Sequence, residues 1–279
     1  MEKVVQFKDG SGNNIYPIII DGIREPSQKF DCCLGSHRGY CGEYPENTMI
    51  AFKAAVLNGY RYIETDVVQS SDGVQFLLHD ATINRTSNGS GTVSNMSSTQ
   101  LMSFDFGYSA KFGNKFSGTK IPTLKEFLIF CKRNRCVAEL DLADDSRYSD
   151  SYLQNTYNVV KSVGMLDNVF FCAQLSRIEA LLTIDPTVMV SVSGMTTATL
   201  MQTAAEIVKN CRRVTFSCNF NYINETLVTQ AHNLNIAIKT WYNEGDGKDT
   251  SSNADNLFNT GVDFVLTDYV TPNEFQWLK

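Results

Sequence analysis

The stretch ETDVVQSSDGVQFLLHD places Glu64 and Asp66 before an Asp-Gly pair and His79 after it. The pair Asp72-Gly73 predicts a two-residue hairpin turn of type I′, in which both central residues have a positive φ. Asp66 is then expected opposite His79 across the hairpin, with Glu64 on the same strand face. The alternative interpretation is a surface hairpin whose polar ends are solvated.

Further polar residues follow the apolar strand candidate DCCLGS. His37 can exchange a proton near neutral pH, and Arg38 can hold a phosphate or carboxylate with two parallel hydrogen bonds. The alternative is an ordinary polar pair that ends a strand. The motif PENT precedes a helical pattern, so Asn47 or Thr48 is expected to be its N-cap. Glu46 then lies in the same strand-to-helix loop.

Another acidic strand end lies in CVAELDLAD, where Glu139 and Asp141 share one face. Glu64, Asp66 and Glu139 give three carboxylates at strand ends, and an all-oxygen set suits a hard cation such as Mg²⁺ or Ca²⁺. The two histidines offer an acid–base pair, and the arginine a phosphate clamp. Solvated strand ends are the alternative, which the grouping of acids with histidines disfavours.

Composition excludes several functions. The chain has 279 residues, a net charge of −6 and no basic block, which argues against a nucleic-acid partner. No apolar run approaches the roughly 18 residues of a membrane helix, and MEKVVQFKDG lacks the apolar core of a signal peptide. The eight cysteines form no Cys-x-x-Cys pair, so buried free thiols are expected rather than a zinc site.

The elements that must position these residues alternate along the chain. The pattern predicts a parallel α/β fold, because strand-like and helix-like segments follow one another from residue 31 onward. Strands are expected at 32–36, 61–67, 74–79, 136–142, 168–172, 187–192, 213–217, 236–241 and 263–267. Helices are expected at 48–58, 123–133, 151–163, 175–183, 197–209, 223–233 and 253–260.

An eight-stranded TIM-type (β/α)₈ barrel fits this count if the hairpin supplies the ninth strand. A doubly wound sheet is less well supported, since no Gly-x-Gly-x-x-Gly follows the first strand. Residues 82–120 form a polar, Gly/Ser-rich segment that is long for a strand-to-helix loop and is expected to cap the active end of the barrel. Residues 1–30 read as a short β appendage and linker, and residues 31–279 as the barrel.

The combination of motifs resembles the glycerophosphodiester phosphodiesterases over about residues 32–270. It occurs in that family's order and at similar spacing. The matching stretches are HRG, PENT, ETDV, DGV, HD, RTSNGSG, IPTL, the Glu139 strand, TWYN and GVDFVLTDY.

The resemblance implies a TIM-type barrel that hydrolyses a glycerophosphodiester with the help of a divalent metal. His37 and His79 correspond to an acid–base pair, and Glu64, Asp66 and Glu139 to the metal ligands. One histidine would take the proton of the glycerol 2-hydroxyl as it attacks phosphorus, while the other protonates the departing alcohol. Water would then open the cyclic phosphate. Either histidine could be the initial base.

Other positions are carried over in the same way. Arg38 and Glu46 correspond to groups that hold the phosphate, the glycerol hydroxyl or metal-bound water. Trp241 corresponds to the wall of the substrate cleft, with a place in the barrel core as an equal alternative. His232 matches only a helix position, where a surface or packing role is expected.

One departure concerns the residue two positions after Glu139. The family usually has a lysine there that helps to bind phosphate, whereas this chain has Asp141. Weaker substrate binding is expected unless Lys239 or another cation reaches the site, or Asp141 joins the metal ligands.

Substrate and location stay open at this stage. The expected partner is a small glycerophosphodiester or poly(glycerol phosphate). The segment FKDGSGNNIYPI is similar to short strands of phage tail proteins, which would make this a virion-borne enzyme acting on cell walls. A sphingomyelinase D-like lipid phosphodiesterase and a teichoic-acid-binding module are the alternatives. The oligomeric state is not indicated, and the location could be cytoplasmic, virion-borne or extracellular.

Overall fold

The computed structural model describes residues 7–8, 14–15, 33–143, 150–243, 245 and 247–275. The described strands are β1 (Phe7–Lys8), β2 (Asn14–Ile15), β3 (Cys33–Ser36), β4 (Tyr62–Gln69), β5 (Gln75–Leu77), β6 (Val137–Leu142), β7 (Val169–Gln174), β8 (Met189–Ser193), β9 (Val214–Asn219), β10 (Ala237–Trp241) and β11 (Phe264–Thr267). The described α-helices are α1 (Met49–Leu57), α2 (Ser98–Ser103), α3 (Ser109–Phe112), α4 (Leu124–Asn134), α5 (Asp150–Val163), α6 (Leu175–Leu182), α7 (Ala198–Ile207), α8 (Glu225–Asn233) and α9 (Ser251–Thr260).

Eight of the described strands, β3, β4 and β6–β11, form a closed parallel barrel. The ring is complete because β3 pairs with both β4 and β11. A helix lies between each barrel strand and the next, which is the TIM-barrel arrangement. The predicted barrel is therefore confirmed, and each predicted strand and helix overlaps an observed one within the described residues.

The two-residue period of the barrel strands separates two kinds of packing. Outward residues pack against the helices in one large apolar core. Inward residues near the amino ends of the strands form a smaller apolar cluster, called here the barrel floor: Tyr62, Val137, Phe170, Met189 and Leu266. Towards the carboxyl ends of β4 and β6, the next inward-facing residues are Glu64 and Glu139, followed by Asp66 and Asp141. The fold therefore places the acids above the floor, towards the carboxyl ends.

The predicted register of the hairpin between β4 and β5 is wrong by one residue. Val67 lies opposite Leu77, and the amide of Leu78 donates to the carbonyl of Asp66, so His79 is not the cross-strand partner of Asp66. The loop holds three residues rather than two. A type I′ turn needs a positive φ at both central residues, and of the Asp72-Gly73 pair only Gly73 has one (84°).

The Asp72 side chain has another role at this turn. Its carboxylate accepts hydrogen bonds from the hydroxyl of Ser70 and from the amide and hydroxyl of Ser98. Ser98 is the first residue of α2, so these bonds satisfy an amide that has no partner within that helix. The hairpin turn thereby anchors the start of α2, which belongs to the segment 82–120.

The long segment 82–120 is more ordered than its composition suggests. It contains a short 3₁₀ turn, α2 and α3. Phe116 lies 5.4 Å from Tyr44, centroid to centroid, and Lys111 donates to the carbonyl of Cys41. The segment therefore packs on the loop between β3 and α1, as expected of a cap over the carboxyl end of the barrel.

The amino-terminal segment is described only in part. β1 and β2 pair in antiparallel fashion, which agrees with two predicted short strands. Residues 1–6, 9–13 and 16–32 lie outside the described residues, so the appendage and its boundary at residue 30 stay predictions. No described helix has the length and apolar character needed to cross a bilayer. The seven described cysteines are free thiols, and five of them are buried.

Tyr152 of α5 ties that helix to the strands that carry the acids. Its buried hydroxyl donates to the carbonyl of Val67 at 2.7 Å and accepts from the amide of Ala143 at 3.3 Å. Tyr152→Phe should lower the free energy of unfolding by about 1–3 kcal/mol, because two backbone groups lose their partner.

The control lies on the same helix. Tyr157→Phe removes a hydroxyl that donates only to the side chain of Asp185, near the surface. Its effect should be smaller than that of Tyr152→Phe, because Asp185 keeps the two donors of Thr187 and water can replace the lost hydroxyl near the surface. Urea unfolding of both variants makes the comparison, and equal effects would contradict the anchoring role of Tyr152.

Candidate active site

Most predicted site residues lie at one end of the barrel. His37 and Arg38 follow β3 directly. In the register of β4 and β6, Glu64 lies beside Glu139, and Asp66 lies beside Asp141. These four acids therefore share the inward face of two neighbouring strands, as expected from their spacing.

Three of the acids are close enough to bind one cation. Glu64, Asp66 and Asp141 each offer an oxygen, and these oxygens lie within 4.8 Å of one another. Burial, with the nearby carboxylates of Asp66 and Asp141, raises the pKa of Glu64 well above its ordinary value. Carboxylate oxygens gathered in this way suit Mg²⁺ or Ca²⁺, and a cation would relieve their repulsion. The donor set thus fits a divalent metal.

Arg38 and Asn47 brace this group from the β3–α1 loop. The Arg38 amide donates to Glu64 Oε2 at 2.8 Å, and its guanidinium Nε lies 3.3 Å from Asp66 Oδ2. Asn47 Nδ2 donates to the same Asp66 oxygen at 2.7 Å. Burial alone would raise the pKa of Asp66, but Arg38, His79 and Asn47 together lower it. Thr48, rather than Asn47, is the N-cap of α1.

Glu139 has different partners. One of its oxygens accepts from Lys239 Nζ and the other from the hydroxyl of Tyr62. The side chains of Glu139 and Lys239 are each 1% exposed, so the pair lies inside the barrel. Burial works against the charged lysine, yet Cys172 and Glu139 raise the pKa of Lys239 above its ordinary value. Glu139 is thus the one predicted ligand that the structure pairs with a lysine.

His37 is held by a carboxylate that follows β11. Its Nδ1 lies 2.8 Å from Asp268 Oδ1, and Cys41 Sγ donates to the same oxygen at 3.0 Å. Burial, with Asp268, raises the pKa of Cys41 well above its ordinary value, so the thiol stays a neutral donor. We therefore interpret Asp268 and Cys41 as hydrogen-bonding partners that hold His37 in place, and we do not interpret the three residues as a second metal site. Asp249 accepts from the Asp268 amide and braces it.

His79 is also paired with an aspartate. Its Nδ1 lies 2.8 Å from Asp80 Oδ1. Arg85 binds both oxygens of Asp80 and both oxygens of Glu46, at 2.7–3.0 Å. Glu46 also accepts from Arg38 at 3.1 Å, so two arginines share it. The side chain of His79 is 46% exposed and that of His37 15%, which makes His79 the more accessible histidine.

Two further predicted positions can be placed. Trp241 ends β10 and packs, half-buried, against the barrel floor, so the choice between the cleft wall and the barrel core stays a prediction. His232 lies beyond the amino ends of the strands, with Nε2 2.9 Å from Asp263 Oδ2. Asp263 also accepts the amide of Ile238, so this histidine has the expected packing role.

Sequence reasoning missed four residues that support the site. Asp268 lies in GVDFVLTDY directly after the last strand, and that position was a usable signal. Asp80 adjoins His79 in the HD motif and could have been found in the same way. Arg85 lies in the matched stretch RTSNGSG and Asn47 in PENT, but their partners Glu46 and Asp66 are 39 and 19 residues away, so these contacts could not be read from the local pattern.

Comparisons with known proteins place the chain among relatives. Residues 37–271 match the glycerophosphoryl diester phosphodiesterase family. Glycerophosphodiester phosphodiesterase 1 of Mus musculus is 31% identical over 143 residues, which cover 51% of this chain and 43% of that protein. The glycerophosphodiester phosphodiesterase of Caldanaerobacter subterraneus subsp. tengcongensis is 44% identical over 91 residues, 33% of this chain and 37% of that protein. The chain thus spans less than half the length of these two relatives.

Solved structures share the barrel. A phosphodiesterase of Oleispira antarctica, in complex with the product sn-glycerol-3-phosphate, aligns with a TM-score of 0.77 at 21% identity, covering 88% of this chain and 96% of that chain. The glycerophosphodiester phosphodiesterase of Agrobacterium tumefaciens aligns with a TM-score of 0.68 at 24% identity, covering 85% and 96%. At these identities the likeness establishes the fold.

The support for His37 predicts how acid destabilises the protein. Burial alone would raise the pKa of Asp268, but His37, Cys41 and Arg38 lower it to about 2. An unfolded aspartate has a pKa of about 3.9. The ionised group therefore stabilises the fold above about pH 4, and this contribution, about 2 kcal/mol, disappears as the pH falls towards 2.

Asp268→Asn should therefore lose less stability than the unaltered protein when the pH is lowered from about 5 to about 3. Urea unfolding at each pH measures the difference. Glu206→Gln is the control, since among the described residues this exposed carboxylate forms one ion pair, with Lys209 at 3.8 Å. Parallel acid profiles for Asp268→Asn and the unaltered chain would contradict the low pKa of Asp268.

Proposed function

The chain belongs to the glycerophosphoryl diester phosphodiesterase family, and on that basis we propose that it hydrolyses glycerophosphodiesters to glycerol 3-phosphate and an alcohol. One observation carries the proposal more than any other. Two histidines, each hydrogen-bonded to an aspartate, both lie close enough to Asp66 to lower its pKa. An acid–base pair beside a carboxylate site suits phosphodiester cleavage, whereas a binding module has no need of one.

A divalent cation is part of the proposal. When bound, it would neutralise negative charge on the phosphodiester oxygens. Glu64 and Asp66 would be two of its ligands, because the sequence pattern points to both and their oxygens lie in one group. The third comes from β6, where Glu139 was expected from the sequence and Asp141 lies with the other two in the structure. The donor set suits Mg²⁺ or Ca²⁺.

The two histidines would move the protons. One takes the proton of the glycerol 2-hydroxyl while its oxygen attacks phosphorus, and the other gives a proton to the departing alcohol. Water then opens the cyclic phosphate with these roles reversed. Asp268 and Asp80 each hold a ring Nδ1, which orients the histidines and leaves Nε2 for proton exchange.

Arg38 and Arg85 would divide the binding of anions. Arg38 is the cation that contacts both Asp66 and Glu46. Arg85 already binds both oxygens of Glu46, so Arg38 can turn a donor towards a phosphate oxygen without leaving Glu46 unpaired. Arg38 is therefore proposed as the phosphate clamp and Glu46 as the group that positions both arginines.

The proposal is tested by release of glycerol 3-phosphate from glycerophosphocholine, glycerophosphoethanolamine and poly(glycerol phosphate). We expect hydrolysis that EDTA stops and that added Mg²⁺ or Ca²⁺ restores, because the acids need a cation. The preferred substrate separates a small glycerophosphodiester from a cell-wall polymer. Absence of turnover on all three, with folded protein and added metal, would remove the proposed activity.

His37→Ala should abolish detectable turnover, a loss of about 10²- to 10⁴-fold, while the fold stays intact. The steady-state rate on the preferred substrate and circular dichroism measure the two parts. His232→Ala is the matched control, because it also removes a histidine bonded to an aspartate, but near the amino ends of the strands. Near-normal kcat in His37→Ala would exclude His37 from the chemistry.

A further inference from the structure

Two acids on β6 face the barrel interior, and they have different surroundings. Glu139 is 1% exposed and contacts Lys239 and Tyr62. Asp141, two residues nearer the mouth, is exposed and belongs to the group of oxygens formed with Glu64 and Asp66. The depth along one strand therefore separates the two carboxylates.

The charges explain why Glu139 stays where it is. Lys239 is as buried as Glu139, and its Nζ contacts Glu139 and, at 3.8 Å, Cys172 Sγ. If Glu139 turned to bind a metal, the lysine would lose its carboxylate in the barrel interior. Leaving one member of a buried ion pair without its partner is strongly destabilising. Lys239 thus holds Glu139 in place.

Asp141 lies beside Asp66 in the register of the two strands. Its carboxylate and those of Glu64 and Asp66 offer oxygens that lie within 4.8 Å of one another. Three negative charges this close repel one another, and a cation that all three share would remove that repulsion.

We propose that Asp141, and not Glu139, supplies the third carboxylate to the divalent cation, and that Lys239 is a positioning residue that keeps Glu139 out of the metal site. The inference deepens the proposed function and rests on it for the presence of a metal. It reassigns one ligand of the pattern expected from the sequence. The substitution of an acid for the usual lysine at position 141 is then matched by a lysine at position 239.

The test is metal binding by the full chain after chelator treatment. Mn²⁺ is the probe, and free Mn²⁺ is measured by electron paramagnetic resonance as it is titrated. Asp141→Asn keeps the shape of the side chain and removes its charge. The double variant Glu139→Gln/Lys239→Met removes the buried pair together, so that no unpaired charge is left inside the barrel.

Asp141→Asn should weaken Mn²⁺ binding about tenfold or more, and the double variant should bind within about threefold of the unaltered chain. Unchanged binding by Asp141→Asn would overturn the proposal. A loss in the double variant as large as that in Asp141→Asn would overturn it as well. Circular dichroism without metal confirms that each variant is folded.

Tyr62→Phe gives a second measurement if the double variant does not fold. It removes a hydrogen bond to Glu139 but keeps the Lys239 pair. If Glu139 were a ligand, losing this partner would weaken binding about 10- to 100-fold. We expect no such loss, and a loss of that size would overturn the proposal.

The same proteins are assayed for glycerol 3-phosphate release. An unaltered chain that binds Mn²⁺ but hydrolyses nothing would remove the proposed function and leave the ligand assignment standing. Hydrolysis by the unaltered chain, with unchanged Mn²⁺ binding in Asp141→Asn, would remove the ligand assignment alone.

Discussion

Repulsion among carboxylates confined at one end of the barrel is the constraint on which the site depends. Glu64 and Asp66 are buried, and Asp141 lies beside them. Arg38 counteracts this repulsion in two ways. Its backbone amide donates a hydrogen bond to Glu64, and its guanidinium lies near Asp66. It does so from a left-handed backbone conformation (φ 54°), which is unfavourable for arginine and persists only because the surrounding contacts fix it.

The histidines depend on a second tier of contacts. Asp268 holds His37 and is itself held by Cys41 and by Asp249. Asp80 holds His79 and is bound by Arg85, which also binds Glu46 of the first loop. The segment 82–120 and the loop after β3 are thereby joined by the ion pair between Arg85 and Glu46. Movement of either would disturb both a histidine and Arg38, the proposed phosphate clamp.

The barrel interior shows how one strand period serves packing and chemistry together. Tyr62 belongs to the apolar floor, and its hydroxyl donates to Glu139. Lys239 reaches the same glutamate from the strand β10. The ion pair of Lys239 and Glu139, which has no net charge, thus lies between the floor and the group formed by Glu64, Asp66 and Asp141. Because that pair is buried, it keeps Glu139 below the group formed by Glu64, Asp66 and Asp141.

The sequence alone was sufficient to predict the barrel, the position of the acids and histidines at the carboxyl ends, and the grouping of Glu64 with Asp66. These follow from two-residue periodicity and from alternation of strands with helices, which are local properties. It did not determine the hairpin register, since the turn depends on whether Asp72 adopts a positive φ. The pairing of Lys239 with Glu139 became visible only in the folded chain, because their contact joins residues 100 positions apart across the barrel.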